Sequence, residues 1–345
     1  MIGAWMSEPY ADLIAALARV HAQPLWDRYH RITTRAPVTP VQAMRWAWTD
    51  MRPLIERAVQ EVSMQDAERR VLLLSQPDAA AHHVCSVATT RNLSGGLQTL
   101  LPGESARAHR HTFQAIRFMM QGSGAVTEVN AQMCPMEPGD FVLTPAWTWH
   151  GHTHGGSERS VWFDGLDLPL CTHFDSVFFE LPSEASHNDV PHVSAPSRAR
   201  AWQENMVSLR PDSEVQGSQF RYSAERAAAA LAQASPASDG SRLLRYLHAT
   251  GGAALPTLDC YQLALRQGQA TQRKRSTSSA ICVVAQGTGV STVDGRTLEW
   301  QCNDVFTVPH WQSVSHEART EEAKIFMMTD RELLAMLGYL REENL

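Results

Sequence analysis

The 345-residue sequence has few of the features that mark membrane-spanning, disulfide-bonded or nucleic-acid-binding proteins. No run approaches 18 consecutive apolar residues, which excludes a transmembrane helix. The 6 cysteines include no Cys-x-x-Cys pair, which argues against a zinc ribbon or a disulfide framework and fits a reducing compartment. The 30 Lys and Arg residues are outnumbered by 36 Asp and Glu residues, so a broad nucleic-acid-binding surface is not expected.

The N-terminal residues also lack the pattern of a secretory signal peptide. Glu8 and Asp12 stand where such a peptide carries basic and then purely apolar residues, so we expect a cytoplasmic protein. Hydrophobic residues make up 43% of the chain and charged residues 19%, a composition typical of globular domains. The length suffices for two medium domains or one large domain.

Hydrophobic spacing divides the chain into four parts. Apolar residues recur every three or four positions at 4–20 and 40–61, which predicts a helical N-terminal segment over 1–70. Short apolar runs between turn residues then predict strands, first over 71–181 and again over 251–345, where a C-terminal helix ends the chain. The part between them, 182–250, is predicted to be a linker with a helix at 223–234.

The two strand-rich parts are copies of one another. HRHTFQAI at 109–116 matches KRSTSSAI at 274–281, and QGSGAV at 121–126 matches QGTGVS at 286–291. A third pair begins at Gly139 and Asn303, and its offset is 164 residues where the first two have 165. Three such blocks indicate that one β-domain occurs twice.

Three histidines of the first copy have the spacing of a metal site. His109 and His111 point to one face of a strand because side chains alternate along it, and His150 arrives from a later strand after a Gly-Asp turn. This spacing resembles that of the cupin superfamily, whose small β-barrel holds a metal in its mouth. A lone His-x-His pair is more often solvated or hydrogen-bonded, but the third histidine favours the metal site.

The glutamate that usually joins these histidines in cupins is absent, because Ala115 stands at its position. Three neutral imidazoles leave a divalent metal with its full charge and about three open positions on an octahedral ion. Such a centre suits a bidentate ortho-hydroxy acid together with dioxygen. It suits zinc hydrolysis less well, since hydrolysis needs only one open position.

The second copy has lost these ligands. Lys274, Ser276 and Val314 stand where the first copy has its three histidines, so we expect a structural barrel without a metal. His316 survives opposite His152 but lacks partner ligands.

The tracts AHRHT (108–112), MEPGDFVLTPAWTWHGH (136–152) and WFDGLDLPL (162–170) resemble the bicupin gentisate 1,2-dioxygenase and salicylate 1,2-dioxygenase family. The resemblance spans nearly the whole chain. It implies a mainly β bicupin fold with a helical N-terminal segment, one Fe(II) per subunit in the first cupin only, O2 as co-substrate and a homotetramer. The implied reaction cleaves the ring of a small aromatic hydroxy acid between its carboxyl-bearing and hydroxyl-bearing carbons.

Carried over by motif, the resemblance also implies roles for individual residues. The iron ligands would be His109, His111 and His150; the catalytic or substrate-binding residues would be Arg117, His152, Asp164, Arg70, Ser94 and Gly96. From the residues alone, Arg117 could instead pair with an acid, Asp164 could be a turn residue, and His152 could lie on an exposed rim.

The substrate and the function class remain open at this point. Ser94 stands where the family usually has an aromatic residue, which widens the pocket and favours a 5-substituted salicylate such as 5-nitrosalicylate, or a larger hydroxynaphthoate, over gentisate. The alternatives are a different metal-cupin enzyme, such as a Mn or Zn isomerase or a diketone dioxygenase, and a non-catalytic bicupin binding protein.

Overall fold

A computed structural model describes residues 10–39, 41–77, 85–182, 220–248 and 251–345. The chain divides into two compact units, Met1–Val38 and Thr39–Leu345. The elements before the first repeat are α1 (Ala11–Arg19), α2 (Leu25–Ile32), β1 (Arg45–Trp46), α3 (Trp48–Glu61), α4 (Met64–Ala67) and β2 (Val71–Leu73). The helix predicted over 4–20 is therefore found over 11–19, and residues 1–9 lie outside the described part.

The first repeat is a sandwich of two antiparallel sheets. Its further elements are β3 (Ser94–Leu100), β4 (Ser105–His111), β5 (Ala115–Gln121), β6 (Ala125–Val129), β7 (Gln132–Met136), β8 (Phe141–Thr144), β9 (His150–His154), β10 (Ser160–Leu166), α5 (Leu168–His173) and β11 (Phe179–Glu180). One sheet has the order β11-β4-β9-β6-β7. The other has the order β12-β8-β5-β10-β3-β2, in which β12 (Arg221–Tyr222) comes from beyond the repeat.

The second repeat has the same two-sheet design. Its elements, after α6 (Ala224–Gln233), are β13 (Arg242–Tyr246), β14 (Asp259–Arg266), β15 (Lys274–Ser276), β16 (Ala280–Gln286), β17 (Thr288–Val293), β18 (Arg296–Gln301), β19 (Val305–Val308), β20 (Val314–Ala318), β21 (Glu322–Thr329), α7 (Arg331–Met336) and β22 (Glu342–Asn344). The sheets are β1-β19-β16-β21-β14-β13 and β18-β17-β20-β15-β22. The mainly β bicupin fold predicted from the sequence is confirmed, as is the helix predicted at 223–234.

The two repeats differ in what fills their interiors. In the second repeat an apolar cluster occupies the inside, and it includes Val314, which stands at the position of His150. In the first repeat the equivalent side chains are polar and buried. The six-stranded sheets of the two repeats pack on each other, with Phe118 stacked on Phe326 at 4.3 Å between ring centroids. The second repeat thus packs against one of the two sheets that enclose the polar interior of the first repeat.

Each repeat is completed by a strand and a helix whose residues lie outside that repeat in the sequence. The β1–α3 pair attaches to the second repeat, where Asp304 accepts hydrogen bonds from the Trp48 N–H at 2.7 Å and from Arg45 at 2.9 Å. The β12–α6 pair attaches to the first repeat, where Asp140 accepts from the Ala224 N–H at 2.8 Å and from Arg221. The helix predicted over 40–61 consequently begins only at Trp48, because residues 45–46 are drawn into β1.

We expect Asp304→Ala to destabilise the chain by about 2–4 kcal/mol, since it leaves the Trp48 N–H and the Arg45 guanidinium without their acceptor. Urea unfolding followed by circular dichroism measures the change. Glu299→Ala is the matched control, because its ion pair with Arg319 is exposed and should contribute less than about 1 kcal/mol. Equal midpoints for the two variants would show that Asp304 does not hold α3 in place.

Candidate active site

The three predicted metal ligands converge inside the first repeat. His109 and His111 project from the same face of β4, and β9 places His150 directly opposite His109. All three are buried, and their candidate ligand nitrogens lie within 4.8 Å of one another. We call these residues the histidine trio.

Hydrogen bonds fix the tautomer of every ring in the trio. The Nδ1 atoms of His109, His111 and His150 lie 3.1, 2.7 and 2.9 Å from the backbone oxygens of Arg107, Phe113 and Thr148. Because a carbonyl only accepts, each Nδ1 carries the proton and each Nε2 keeps its lone pair. The Nε2 of His150 is buried with no hydrogen-bond partner, as expected of an atom that binds a metal.

The trio stays neutral at physiological pH. Burial lowers the pKa of His109 to about 2 and that of His111 to about 3, and it lowers the pKa of His150 well below its usual range. The positive charge of Arg69 contributes to the shift at His109. Neutral imidazole is the form that binds a metal ion, and no carboxylate belongs to this group, so the donor set is three nitrogens.

His152 lies deeper in the same interior and has one free nitrogen. Its Nδ1 is 2.9 Å from the Thr127 hydroxyl, its ring centroid is 5.3 Å from that of Trp162, and its Nε2 is buried without a partner. His154 differs, because its Nε2 contacts the Glu158 carbonyl at 2.7 Å and its Nδ1 accepts from a backbone N–H. The geometry therefore leaves His152 available for chemistry and gives His154 a structural role.

Arg117 and Asp164 form a buried pair between neighbouring strands. They face each other in the register of β5 and β10, and Arg117 Nε lies 3.4 Å from Asp164 Oδ1. The same oxygen accepts from Trp162 Nε1 at 3.1 Å, and Arg117 also donates to the Thr144 hydroxyl. Burial raises the pKa of Asp164 to about 6, although Arg117 opposes that shift. Asp164 is a strand residue and not a turn residue.

The structure separates the two arginines of the ERRVL tract. Arg70 is buried in an ion pair with Glu104, whose other oxygen accepts from the Leu101 N–H at 2.8 Å. Arg69 instead lies near the trio, and its Nε and one Nη are buried without hydrogen-bond partners. From the sequence, Arg70 was predicted to bind the substrate and Arg69 was not named; Arg70 also has a buried Nε and one buried Nη without hydrogen-bond partners. Strand alternation gave no signal for Arg69, because β2 begins only at Val71.

One face of β3 forms a wall of this interior. Gly96 pairs with Asp164, and a Cβ at Gly96 would lie 2.7 Å from a methyl carbon of Val71, so only glycine fits there. Ser94 and Gln98 share that face, and the Ser94 hydroxyl and the Gln98 amide nitrogen are buried without partners. The sequence analysis named Ser94 and Gly96 but missed Gln98.

Comparison with known proteins identifies the family. The cupin domain family matches residues 96–166. Over 93% of its length the chain is 32% identical to gentisate 1,2 dioxygenase 1 of Aquipseudomonas alcaligenes, of which it covers 92%. It is 30% identical to 5-aminosalicylate 1,2-dioxygenase of Comamonas sp, with 95% and 88% of the two chains covered. The chain belongs to the gentisate 1,2-dioxygenase family.

A solved structure of this family agrees with the fold. The crystal structure of salicylate 1,2-dioxygenase from Pseudoaminobacter salicylatoxidans with gentisate has a TM-score of 0.85 to this chain, 28% sequence identity, and coverage of 99% and 96% of the two chains. As a member of the gentisate 1,2-dioxygenase family, the chain is a ring-cleaving dioxygenase, and its buried histidine trio could bind the metal. Among the described residues, no helix is long and apolar enough to cross a membrane.

Proposed function

We propose that this enzyme uses Fe(II) and O2 to cleave the ring of an ortho-hydroxybenzoate between its carboxyl-bearing and hydroxyl-bearing carbons. The observation that carries the proposal is the trio of neutral imidazoles without a carboxylate. A divalent ion held by this trio keeps its full positive charge, which favours an anionic bidentate substrate. When bound by this trio, Fe(II) would supply the redox chemistry between the aromatic substrate and dioxygen.

The named substrates of several relatives share one chemical feature. Relatives from Comamonas sp, Nocardioides sp. and Bradyrhizobium sp are named for 5-aminosalicylate, 1-hydroxy-2-naphthoate and 5-nitrosalicylic acid. Each of these compounds carries a carboxylate next to a phenolic hydroxyl. We infer that this carboxylate–hydroxyl pair is what the enzyme recognises, and that the ring substituents vary.

Two cations are placed to bind the substrate carboxylate. Arg69 has a buried Nε and one buried Nη without hydrogen-bond partners, and a carboxylate is a good bidentate acceptor for a guanidinium. Arg117 is buried with its Nε facing Asp164, so a substrate carboxylate would meet the other side of its guanidinium. Asp164 holds the Arg117 guanidinium in place. A substrate bound in this way has its reacting carbons fixed relative to the trio, so that binding supplies orientation.

His152 is suited to accept a hydrogen bond from the phenolic hydroxyl of the substrate. Its buried Nε2 has no partner, and burial lowers the pKa of His152 well below its usual range, which keeps the ring neutral. With Nδ1 directed at Thr127, the Nε2 lone pair is free to orient the substrate hydroxyl. Thr127 fixes the orientation of this ring through Nδ1.

The wall formed by β3 supports a 5-substituted salicylate as substrate. Ser94 is small and its buried hydroxyl lacks a partner, which offers a hydrogen-bonding group to a polar substituent. Gentisate, whose 5-substituent is a hydroxyl, remains the second candidate within the same class. Arg70 is a further candidate for the substrate carboxylate, because Glu104 pairs with one of its Nη atoms while its Nε and other Nη are buried without partners.

An oxygen-electrode screen of the anaerobically iron-loaded enzyme tests the proposal. We expect oxygen uptake with at least one of gentisate, salicylate, 5-nitrosalicylate, 5-chlorosalicylate and 1-hydroxy-2-naphthoate, and none with benzoate, which lacks the hydroxyl. Metal analysis after anaerobic purification distinguishes the alternatives. Bound Mn or Zn with no uptake would support another metal-cupin enzyme, and a protein that binds no metal would support a non-catalytic bicupin.

We also propose a homotetramer, on the basis of the family resemblance, and a cytoplasmic location, because 6 cysteines without a Cys-x-x-Cys pair fit a reducing compartment.

A further inference from the structure

A short segment, here called the strap, forms one edge of the five-stranded sheet beside the histidine trio. We define the strap as residues 176–181, which include β11. Phe179 and Glu180 pair with His111 and Arg110 of β4. Thr112 adds two bonds, since its hydroxyl donates to the Ser176 carbonyl at 2.6 Å and accepts from the Phe178 N–H at 2.9 Å.

An ion pair covered by tryptophan clamps the strap to the sheet. Arg110 Nε donates to Glu180 at 2.7 Å, and the Arg110 guanidinium lies 4.5 Å from the ring centroid of Trp147 and 4.8 Å from that of Trp149. Trp147 has a positive φ of 61°, an uncommon backbone conformation for an aromatic residue.

The second repeat contains the same clamp. There β22 pairs with β15, Arg275 and Glu343 form an ion pair of 2.6 Å, and Trp311 covers it at 4.5 Å from Arg275. Trp311 also has a positive φ, of 60°. Because both repeats have this ion pair and its covering tryptophan, we regard the clamp as a structural feature of the fold. The repeats differ in the side chain that precedes the clamp glutamate on the edge strand.

In the second repeat that side chain is Glu342, which pairs with Arg331 at 2.6 Å. In the first repeat it is Phe179, whose ring stacks on His109 with a centroid distance of 5.2 Å and an interplanar angle of 24°. The guanidinium carbon of Arg69 lies 5.4 Å from the same ring centroid. Phe179 therefore contacts both a metal-ligand candidate, His109, and Arg69, an arginine with two buried, unpartnered N–H groups.

We propose that Phe179 is a positioning residue that holds the Arg69 guanidinium against the substrate carboxylate. The inference rests on the proposed function. Arginine has many rotamers, and an aromatic face that attracts the cation limits them without using any of its N–H donors. The donors thus remain free for the carboxylate, which an ion pair such as that of Glu342 with Arg331 would not allow.

Phe179→Leu keeps an apolar side chain but removes the aromatic face. We expect the dissociation constant of salicylate, measured anaerobically by calorimetry with the Fe(II)-loaded enzyme, to rise about tenfold. Iron bound per chain should not change, and Phe179→Tyr should restore affinity. Phe178→Leu is the matched control, because Phe178 is the strap neighbour that contacts Trp147 and should leave the constant unchanged.

A double-mutant cycle with Arg69→Gln shows whether Phe179 acts through Arg69. In the Arg69→Gln background, Phe179→Leu should weaken salicylate binding less than about twofold further. Additive effects would overturn the proposal, because Phe179 would then contact the substrate independently. Loss of iron in Phe179→Leu would also overturn it by assigning the ring a role in the metal site. A wild-type enzyme that binds no hydroxybenzoate would instead refute the proposed function.

Discussion

His150→Ala is expected to abolish both iron binding and oxygen uptake. The substitution removes one of only three protein nitrogens, and no carboxylate stands in the trio to replace it. We expect iron affinity to fall by more than about a hundredfold, since even indirect disturbance of a metal ligand costs 10–100-fold. Iron per chain after anaerobic reconstitution and oxygen uptake on the preferred hydroxybenzoate are the two measurements.

The fold should survive this change, because the lost ring carried a buried nitrogen without a partner. The matched control is Val314→Ala, which truncates the residue at the same place in the second repeat. It should lower stability by about 1–3 kcal/mol through loss of packing while leaving iron content and turnover at wild-type levels. If His150→Ala kept its iron, the trio would not be the metal centre.

Arg117→Met is expected to lower kcat/KM by about a hundredfold or more, mainly through KM, because the buried cation that we propose for binding the substrate carboxylate is lost. The same substitution leaves Asp164 buried without its cation. Arg117 lowers the pKa of Asp164, which burial has already raised from 3.8 to about 6, so its removal raises that pKa further.

The consequence for stability has a definite sign. A carboxyl whose pKa is higher in the folded chain stabilises the fold below its unfolded value of 3.8, and this stability is lost as the pH rises through the folded value. In the wild type the loss is complete a little above pH 6; in Arg117→Met we expect it to continue to higher pH. Thermal unfolding measured from pH 4 to pH 8 shows the difference.

The double variant Arg117→Met/Asp164→Asn separates the two roles of Arg117. Without a carboxylate to compensate, the double variant should recover stability near pH 7 while keeping the high KM. Recovery of wild-type kcat/KM would mean that Arg117 serves only to pair with Asp164, which is the alternative that the sequence left open.

The sequence was enough to group the three histidines, because that grouping depends on local geometry. Alternation along β4 is enough to put His109 and His111 on one face, and the spacing shared with cupins supplies His150. The duplication was equally visible, since each repeat carries its own turn residues and strand lengths. Helix boundaries were less accurate: α3 begins at Trp48 because Asp304, far away in sequence, accepts its first N–H.

The environment of each polar side chain could not be predicted from local sequence patterns. Which of Arg69 and Arg70 reaches the trio depends on Glu104, which holds Arg70 across a separate turn. Arg117 and Asp164 are distant in sequence, and only the register of β5 against β10 makes them partners. The strap and its tryptophan-covered clamp likewise depend on pairing between segments that have no sequence pattern in common.

By itself, then, the amino-acid sequence determined the repeated β-domain, the identity of the three imidazoles and the loss of their counterparts in the second copy. These follow from side-chain periodicity and residue type, which act over a few residues. The tertiary structure alone decided which charges are paired, which N–H groups stay free for a substrate, and which strands cross between the repeats. Those outcomes depend on burial and on contacts between remote segments, whose free energies exist only once the sheets have packed.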